Sequence, residues 1–481
     1  MQFVLAEYFG FEYSIAVKIF MVGFAALALL AALFIRLSFV QWIFAGTLFF
    51  NALTAPLNFE RTSYLNTWML PVQQLRAEGH LVLALLLTIV VVVTGRLHAN
   101  KVPIQGLFLL GVGVYAGLLQ FIHETPTAAA QSIGFALATI PCMLFAAPSV
   151  CNSYEGCLKV LRTIMLVSVA WTVCCSVQFV TNPKLLVNTG GRFWGMMGNA
   201  QGAALVCAPF VIIALWLMLH DPNRRLRALW VALIAINLLF VGWTGSRTGA
   251  VMLLLGAAFV LYNKLGKVIL LLPFAAIMTF ALSFLAAELQ IGSNLERLVS
   301  SENTRDGVWK RQIEKIFESP IIGVGWAETG ASESSYLAGF AAYGFVMFSL
   351  MAGLLLFSMW KCATLTLLRR RLPKEQRPLV DLFCSWNAMF FGAAVFEGFI
   401  LSRSSSTTTI MLLFAGIGIW LTEQVSRNPH IALEDGVYEE EPVDDASWEA
   451  AATYGYDAGA PESSPALAEL NQRTSVAQDQ A

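Results

Sequence analysis

The chain has 481 residues, 57% of them hydrophobic and only 13% charged, with a mean hydropathy of +0.66. Soluble globular domains lie nearer half apolar and a quarter charged, so this composition excludes an ordinary soluble enzyme, a disordered chain and a nucleic-acid binder, and points to many membrane spans. The net charge of −1 hides a split: residues 428–481 hold twelve Asp and Glu against Arg473 alone, leaving 29 Lys and Arg against 19 Asp and Glu in residues 1–427.

In chain order, apolar stretches fall at 15–35, 37–54, 79–95, 103–123, 128–148, 160–181, 198–219, 228–244, 248–263, 268–287, 335–360, 382–400 and 405–422. Each is about the length needed to cross a hydrocarbon core roughly 30 Å thick. They predict an all-α polytopic membrane protein with about 12–13 transmembrane helices, its membrane domain spanning residues 1–427. Lys18 interrupts the first stretch, and residues 1–14 can lie along the interface instead. No basic segment precedes that stretch, as a cleaved signal peptide would require. The acidic tail 428–481, bearing Ala, Ser and Pro with few apolar residues, cannot bury enough surface to fold alone and is expected to be disordered.

Lysine and arginine counts set the expected orientation. With the tail inside, the inner segments hold seventeen Lys and Arg, concentrated in HDPNRRLR and RRRLPKEQR, and the outer segments hold eleven. Eight of those eleven are arginines, an excess on the face where positive charge is normally depleted, which asks for an anionic ligand there. The eight cysteines form no CxxC and no Cys/His cluster, so neither a metal site nor a disulfide framework is expected. The five histidines show no ligand spacing.

The longest outer segment runs from Glu288 to about Ser334. Within it NTRDGVWKRQIEKIFES reads as a helix, with Asn303 able to cap it and Asp306 in its first turn. Val308, Trp309, Ile313, Ile316 and Phe317 recur at helical spacing, with Arg305 at the edge of that stripe and Lys310 and Arg311 pointing away. Pro320 ends the helix, and IIGVGW follows as a turn.

Four places on the outer face carry candidate chemistry. In GRFWGMMGNAQG (191–202), Arg192 opens the seventh span, with Asn199 two helical turns along; Arg192 is either a phosphate fork or a headgroup anchor. In GWTGSRTG (242–249), Arg247 sits at a hairpin tip flanked by glycines, as a ligand or a snorkelling cap. Arg305 on the loop helix needs a partner, either substrate or a structural carboxylate. Glu333, just before the span at 335–360, can cap that helix or act as a general base. A weaker pair is Glu397, read as lying inside the 382–400 span where a carboxylate needs a partner or a water-filled cavity, and Arg403. No P-loop, GxGxxG, GxSxG or HExxH pattern is present.

The order of these elements resembles the O-antigen ligase and polymerase superfamily of bacterial envelopes. The matching residues are Arg192, Gly195 and Asn199; Thr244, Ser246, Arg247 and Gly249; Arg305, Trp309, Pro320, Gly323 and Gly325; and Glu333, Ser334, Ser335, Tyr336, Leu337 and Gly344. The resemblance covers residues 190–350, about a third of the chain. Where ligase-like members carry His-Asn before Tyr-Leu, this chain carries Glu333-Ser334, which is closer to the polymerase-like branch of exopolysaccharide and O-antigen synthesis.

The resemblance implies a GT-C-like glycosyltransferase architecture in the bacterial inner membrane, with the loop 288–334 and the active site facing the periplasm. It implies a metal-independent, cofactor-free glycosyltransferase that moves glycan from undecaprenyl pyrophosphate to a sugar hydroxyl of another lipid-linked repeat unit. In that chemistry Arg192, Arg247 and Arg305 would bind pyrophosphate, and Glu333 with Arg305 would be catalytic. Asn199, Trp309, Tyr336, Glu397 and Arg403 would be accessory. Implied partners are the lipid-linked oligosaccharide, the bilayer, a chain-length regulator and a flippase, with no nucleic acid. The competing expectations are a ligase to lipid A or protein, and a flippase or anion transporter with arginines lining its pathway.

Overall fold

The computed structural model describes residues 39–52, 103–181, 186–187, 191–261, 305–329, 333–401 and 405–427. The stretches read as spans at 15–35, 79–95 and 268–287, the tail 428–481, Asn303 and Arg403 lie outside the described residues. The described helices are α1 (Phe39–Asn51), α2 (Ile104–His123), α3 (Pro126–Val150), α4 (Tyr154–Thr181), α5 (Ala200–His220), α6 (Arg227–Thr244), α7 (Arg247–Leu261), α8 (Asp306–Glu318), α9 (Trp326–Thr329), α10 (Ser335–Leu367), α11 (Arg377–Phe396) and α12 (Ser406–Arg427). Among the described residues there is no strand, only an isolated antiparallel bridge between Val187 and Phe193.

Seven of these helices, α2, α4, α5, α6, α10, α11 and α12, are long and apolar enough to cross a membrane. The protein is therefore an all-α polytopic membrane protein. Helix α5 is hydrophobic on every side and is buried along most of its length, packed against α6 and α7. Small residues let neighbours approach closely: a Cβ on Gly256 of α7 would meet Met389 of α11, and one on Gly392 of α11 would meet Leu255.

Two groups of charged contacts stand apart, while neutral polar pairs such as Asn237 with Ser168 lie within the helices. In the first, Arg162 pairs with Asp221 at 2.8 Å, Trp230 Nε1 donates to the same carboxylate, and Arg369 pairs with Asp381 at 2.8 Å. In the second lie the contacts of Arg192, Thr248, Arg305 and Glu397. Arg162 and Arg369, both counted to the inner side in the sequence, belong to the first of these groups, and Arg192 and Arg305, both counted to the outer side, belong to the second.

Helix α10 is not straight. Its 33 residues would run about 50 Å as one helix, yet its two ends are tied to points on α11 only about 24 Å apart along that axis. Ser335 reaches the Glu397 carbonyl at one end, and Arg369, just past the helix, reaches Asp381 at the other. The difference is taken up at Gly344, which breaks the helix with φ 75° and ψ −166°, a conformation essentially restricted to glycine. The break frees the carbonyls of Ala341 and Ala342, which accept from the amides of Val324 and Gly325 at 2.9 Å each, while Phe345 N donates to Pro320 O at 2.9 Å. The turn 320–325 is thus inserted into the break, and Gly323 (φ 74°) and Gly344 lie backbone against backbone with no room for a Cβ on either. His123 at the end of α2 closes the other side, its Nε2 3.4 Å from Ile322 O.

This geometry predicts the effect of Gly344→Ala. The forced φ costs about 1–3 kcal/mol, and the added methyl would collide with the Ile321 carbonyl. A lower melting temperature in detergent and reduced accumulation are expected; unchanged thermal stability would mean that the break is not fixed by the turn.

Candidate functional site

The first arm of the site is built on the end of α6. Phe193 stacks on Phe240 at 4.5 Å and on Trp243 at 5.2 Å, with Trp171 edge-on to Phe193 at 6.0 Å. Phe193 N donates to Trp243 O at 3.2 Å, and Trp243 Nε1 donates to Gly191 O at 3.1 Å. With its neighbours so pinned, Arg192 lies beside the 244–248 hairpin and its Nε donates to Thr244 O at 2.7 Å. Arg192 does not open a span. It precedes a 3₁₀ turn at Gly195–Met197, and α5 begins only at Ala200. Asn199 is the N-cap of that helix, its side-chain oxygen accepting from Gly202 N, so it does not share a helical face with Arg192. The capping bond is the contact that fixes Asn199 at the start of α5.

Gly245, with φ 57°, ends α6 and allows the chain to reverse into α7. Arg247 is the first residue of α7, and Thr248, fully buried, follows it. Thr248 Oγ1 donates to Glu397 Oε1 at 2.9 Å. Glu397 is not inside a span: α11 ends at Phe396, and the carboxylate sits one residue past it at the C-cap in extended backbone.

Arg305 joins the remaining pieces. It occupies the position before α8, with no side-chain cap there, and the helix starts at Asp306. Its Nη2 donates to Glu397 Oε1 at 2.7 Å and lies 3.5 Å from Thr248 Oγ1, its Nε is 3.6 Å from Glu333 Oε2, and its guanidinium sits 5.5 Å from the centroid of the Phe396 ring. Trp309, one turn along α8, stacks on the same Phe396 at 6.4 Å. One arginine therefore bridges two carboxylates, one just past the end of α11 and one just before the start of α10.

Glu333 does not cap α10. Ser334 does, accepting from Leu337 N at 3.4 Å. Ser335 locks the entry further, donating to Glu397 O at 2.6 Å and accepting from Ile400 N at 3.3 Å. The Glu333 side chain is 27% exposed, but its Oε2 is itself buried against Arg305 and accepts no hydrogen bond. The two carboxylates thus differ: Glu397 is committed to Arg305 and Thr248, whereas Glu333 keeps hydrogen-bonding capacity. Tyr336 is half-buried, and its hydroxyl makes no hydrogen bond. Ser335 stood in the sequence among the residues of the family resemblance, with no contact assigned to it, whereas Thr248 and Phe396 carry no signal of their own beyond their adjacency to Arg247 and Glu397.

Burial pushes the Glu397 carboxyl from an ordinary 4.5 up to about 7, outweighing the pull of Arg305 and the Thr248 hydroxyl in the other direction. A carboxyl so shifted holds its proton more tightly in the folded protein than in the unfolded one. Its stabilising contribution is therefore present below about pH 4.5 and is lost as pH rises through about 7. Between those limits the melting temperature of the wild type should fall relative to that of Glu397→Gln, which cannot titrate. Parallel curves for the two proteins would exclude the shift.

No family model matches the chain, and no curated protein matches it. The functional reading therefore rests on the geometry and on the order of the motifs.

Among the described residues no group of three or more His, Cys, Asp or Glu is placed to hold a metal ion. The site offers instead a guanidinium flanked by carboxylates, a hydroxyl and an aromatic wall. Chemically such a site can neutralise a phosphate-bearing leaving group and accept a proton beside it.

Proposed function

We propose that this protein is a glycosyltransferase of the O-antigen ligase and polymerase type, acting as a polymerase on undecaprenyl-pyrophosphate-linked repeat units in the bacterial inner membrane. The observation that carries the reading is the convergence at Arg305. Two motif residues far apart in the sequence, Arg305 and Glu333, meet there with Glu397 and with Thr248, which lies inside the 244–249 motif without being one of its matched residues, and Arg192 holds the same hairpin through Thr244.

In the proposed reaction the bond between the donor sugar's anomeric carbon and the pyrophosphate oxygen breaks. A bond forms from that carbon to the acceptor hydroxyl oxygen, and the hydroxyl proton passes to Glu333. The departing polyprenyl pyrophosphate takes the bonding electron pair, and Arg305, with Arg192 and Arg247 at the hairpin, offsets its charge. Glu397 and Thr248 fix the guanidinium's orientation. Trp309 and Phe396 form the apolar wall behind it.

The test is extension of a purified lipid-linked repeat by purified protein, read as a ladder of products on a gel, without nucleotide or metal. Absence of any product longer than the starting unit, with donor intact, would overturn the polymerase reading. The proposed periplasmic face is read separately in spheroplasts: a membrane-impermeant thiol reagent should label a cysteine at Lys310 and not one at Glu375. The reverse pattern would remove the site from the face where such donors are used.

A further inference from the structure

Helix α8 leaves an apolar flank uncovered. Arg305, Trp309, Gln312 and Ile316 lie along the side that faces the protein, whereas Ile313 and Phe317, one turn apart on the next strip of the helix, are exposed, Phe317 to 80%. The exposed strip continues through the turn as Ile321 and Ile322, and Ile321 is 71% exposed. The turn is fixed by the Pro320 to Phe345 hydrogen bond onto α10, where Phe345 and Val346 are again exposed. From there α10 goes on as an apolar membrane-crossing helix with Phe348, Leu356 and Met359 exposed along it.

We infer that α8 lies in the membrane–water interface, with Ile313, Phe317, Ile321 and Ile322 inserted at the acyl-chain boundary as an extension of the lipid-facing surface of α10. The occupant of the flank is lipid. Three features on the molecule favour it over a second protein surface. The strip is continuous with a face that already meets hydrocarbon. It belongs to a short amphipathic helix, the form that seats an apolar side a few ångströms deep in a bilayer. And Lys310, seven residues before Phe317 and so at the edge of the same strip, is exposed, where its apolar stem can lie along the strip and its ammonium can reach anionic headgroups, while Arg311, Glu314 and Glu318 face away on the polar side. The inference rests on α10 being a span and not on the transferase reading.

A consequence is positional. The helix carries Arg305 at its protein-facing N-terminal end, so an interfacial α8 holds that guanidinium near headgroup depth, the level at which a lipid-borne phosphate is found.

The experiment uses the full chain in liposomes containing anionic phospholipid, with a nitroxide attached at Phe317→Cys or at Arg311→Cys. Wild-type protein taken through the same labelling supplies the background from native thiols. At Phe317 collisions with oxygen should exceed those with a water-soluble nickel chelate, and at Arg311 the order should reverse. Nickel-dominated relaxation at both positions would overturn the inference, as would protection from both reagents at Phe317, which signals burial against another protein copy. If Phe317→Cys does not accumulate, Ile321→Cys reads the same strip.

Discussion

Glu333→Gln is expected to accumulate and melt like the wild type while extending a lipid-linked repeat about 10²–10⁴-fold more slowly, the usual range for loss of a positioned general base. The stability half of this expectation follows from the helix start. Ser334 caps α10 and Ser335 ties it to Glu397 O and Ile400 N, so neither bond depends on the Glu333 side chain. The activity half follows from availability. Glu333 Oε2 accepts no hydrogen bond and faces Arg305 at 3.6 Å, whereas Glu397 Oε1 already accepts from both Arg305 and Thr248. Near wild-type extension by Glu333→Gln would reduce that carboxylate to a charge partner of Arg305.

Arg305→Lys should keep the protein folded and lose about 10²–10³-fold in rate, the scale for removing one preorganised donor from a developing negative charge. The guanidinium addresses Glu397 through Nη2 and Glu333 through Nε while lying against Phe396. An ammonium is a single point of charge on a flexible stem and cannot hold both carboxylates and the ring in one plane. Arg305→Ala goes further, because it leaves two neighbouring carboxylates without their shared cation. Breaking a buried ion pair costs about 3–5 kcal/mol, and the low end applies here because Arg305 and Glu397 retain some solvent exposure. Arg305→Lys with full activity and a normal melting temperature would show that only charge is needed. Arg192→Ala reports something different, since its Nε already serves Thr244 O, and a stability loss should accompany its loss of rate.

How far the sequence reveals this site depends on the kind of signal each residue leaves. Spans such as 104–123, 200–220 and 227–244 were legible because a run of apolar residues bounded by charge has one cheap solution in a bilayer. Arg305 was legible as an arginine needing a partner, since it sits on the edge of an apolar stripe. Its partner Glu397 is visible as a costly carboxylate among apolar residues, but not its place one residue past the helix end. The apolar run continues past Phe396 through Gly398, Phe399 and Ile400, so hydropathy alone does not reveal that the helix stops at 396. Asn199 and Arg192 were placed on one helical face because spacing was read as helix, whereas Gly195 and Gly198, both with positive φ, break that register. The contacts of Thr248, Ser335 and Phe396 are tertiary and leave no local pattern to read.

On the proposed function, the break in α10 bears on how a substrate would reach Arg305. The amides of Val324 and Gly325 complete the hydrogen-bond ladder of a span, and Phe345 N in turn depends on Pro320 O. Lifting the 320–325 turn away would strand these groups at once beside a membrane-crossing helix, where unsatisfied backbone groups are costly. The segment leading into that turn therefore behaves as a bracket bolted to the bundle and not as a hinged lid. Whatever admits a ligand to the arginine has to yield elsewhere, on the sides of the site that this turn does not hold.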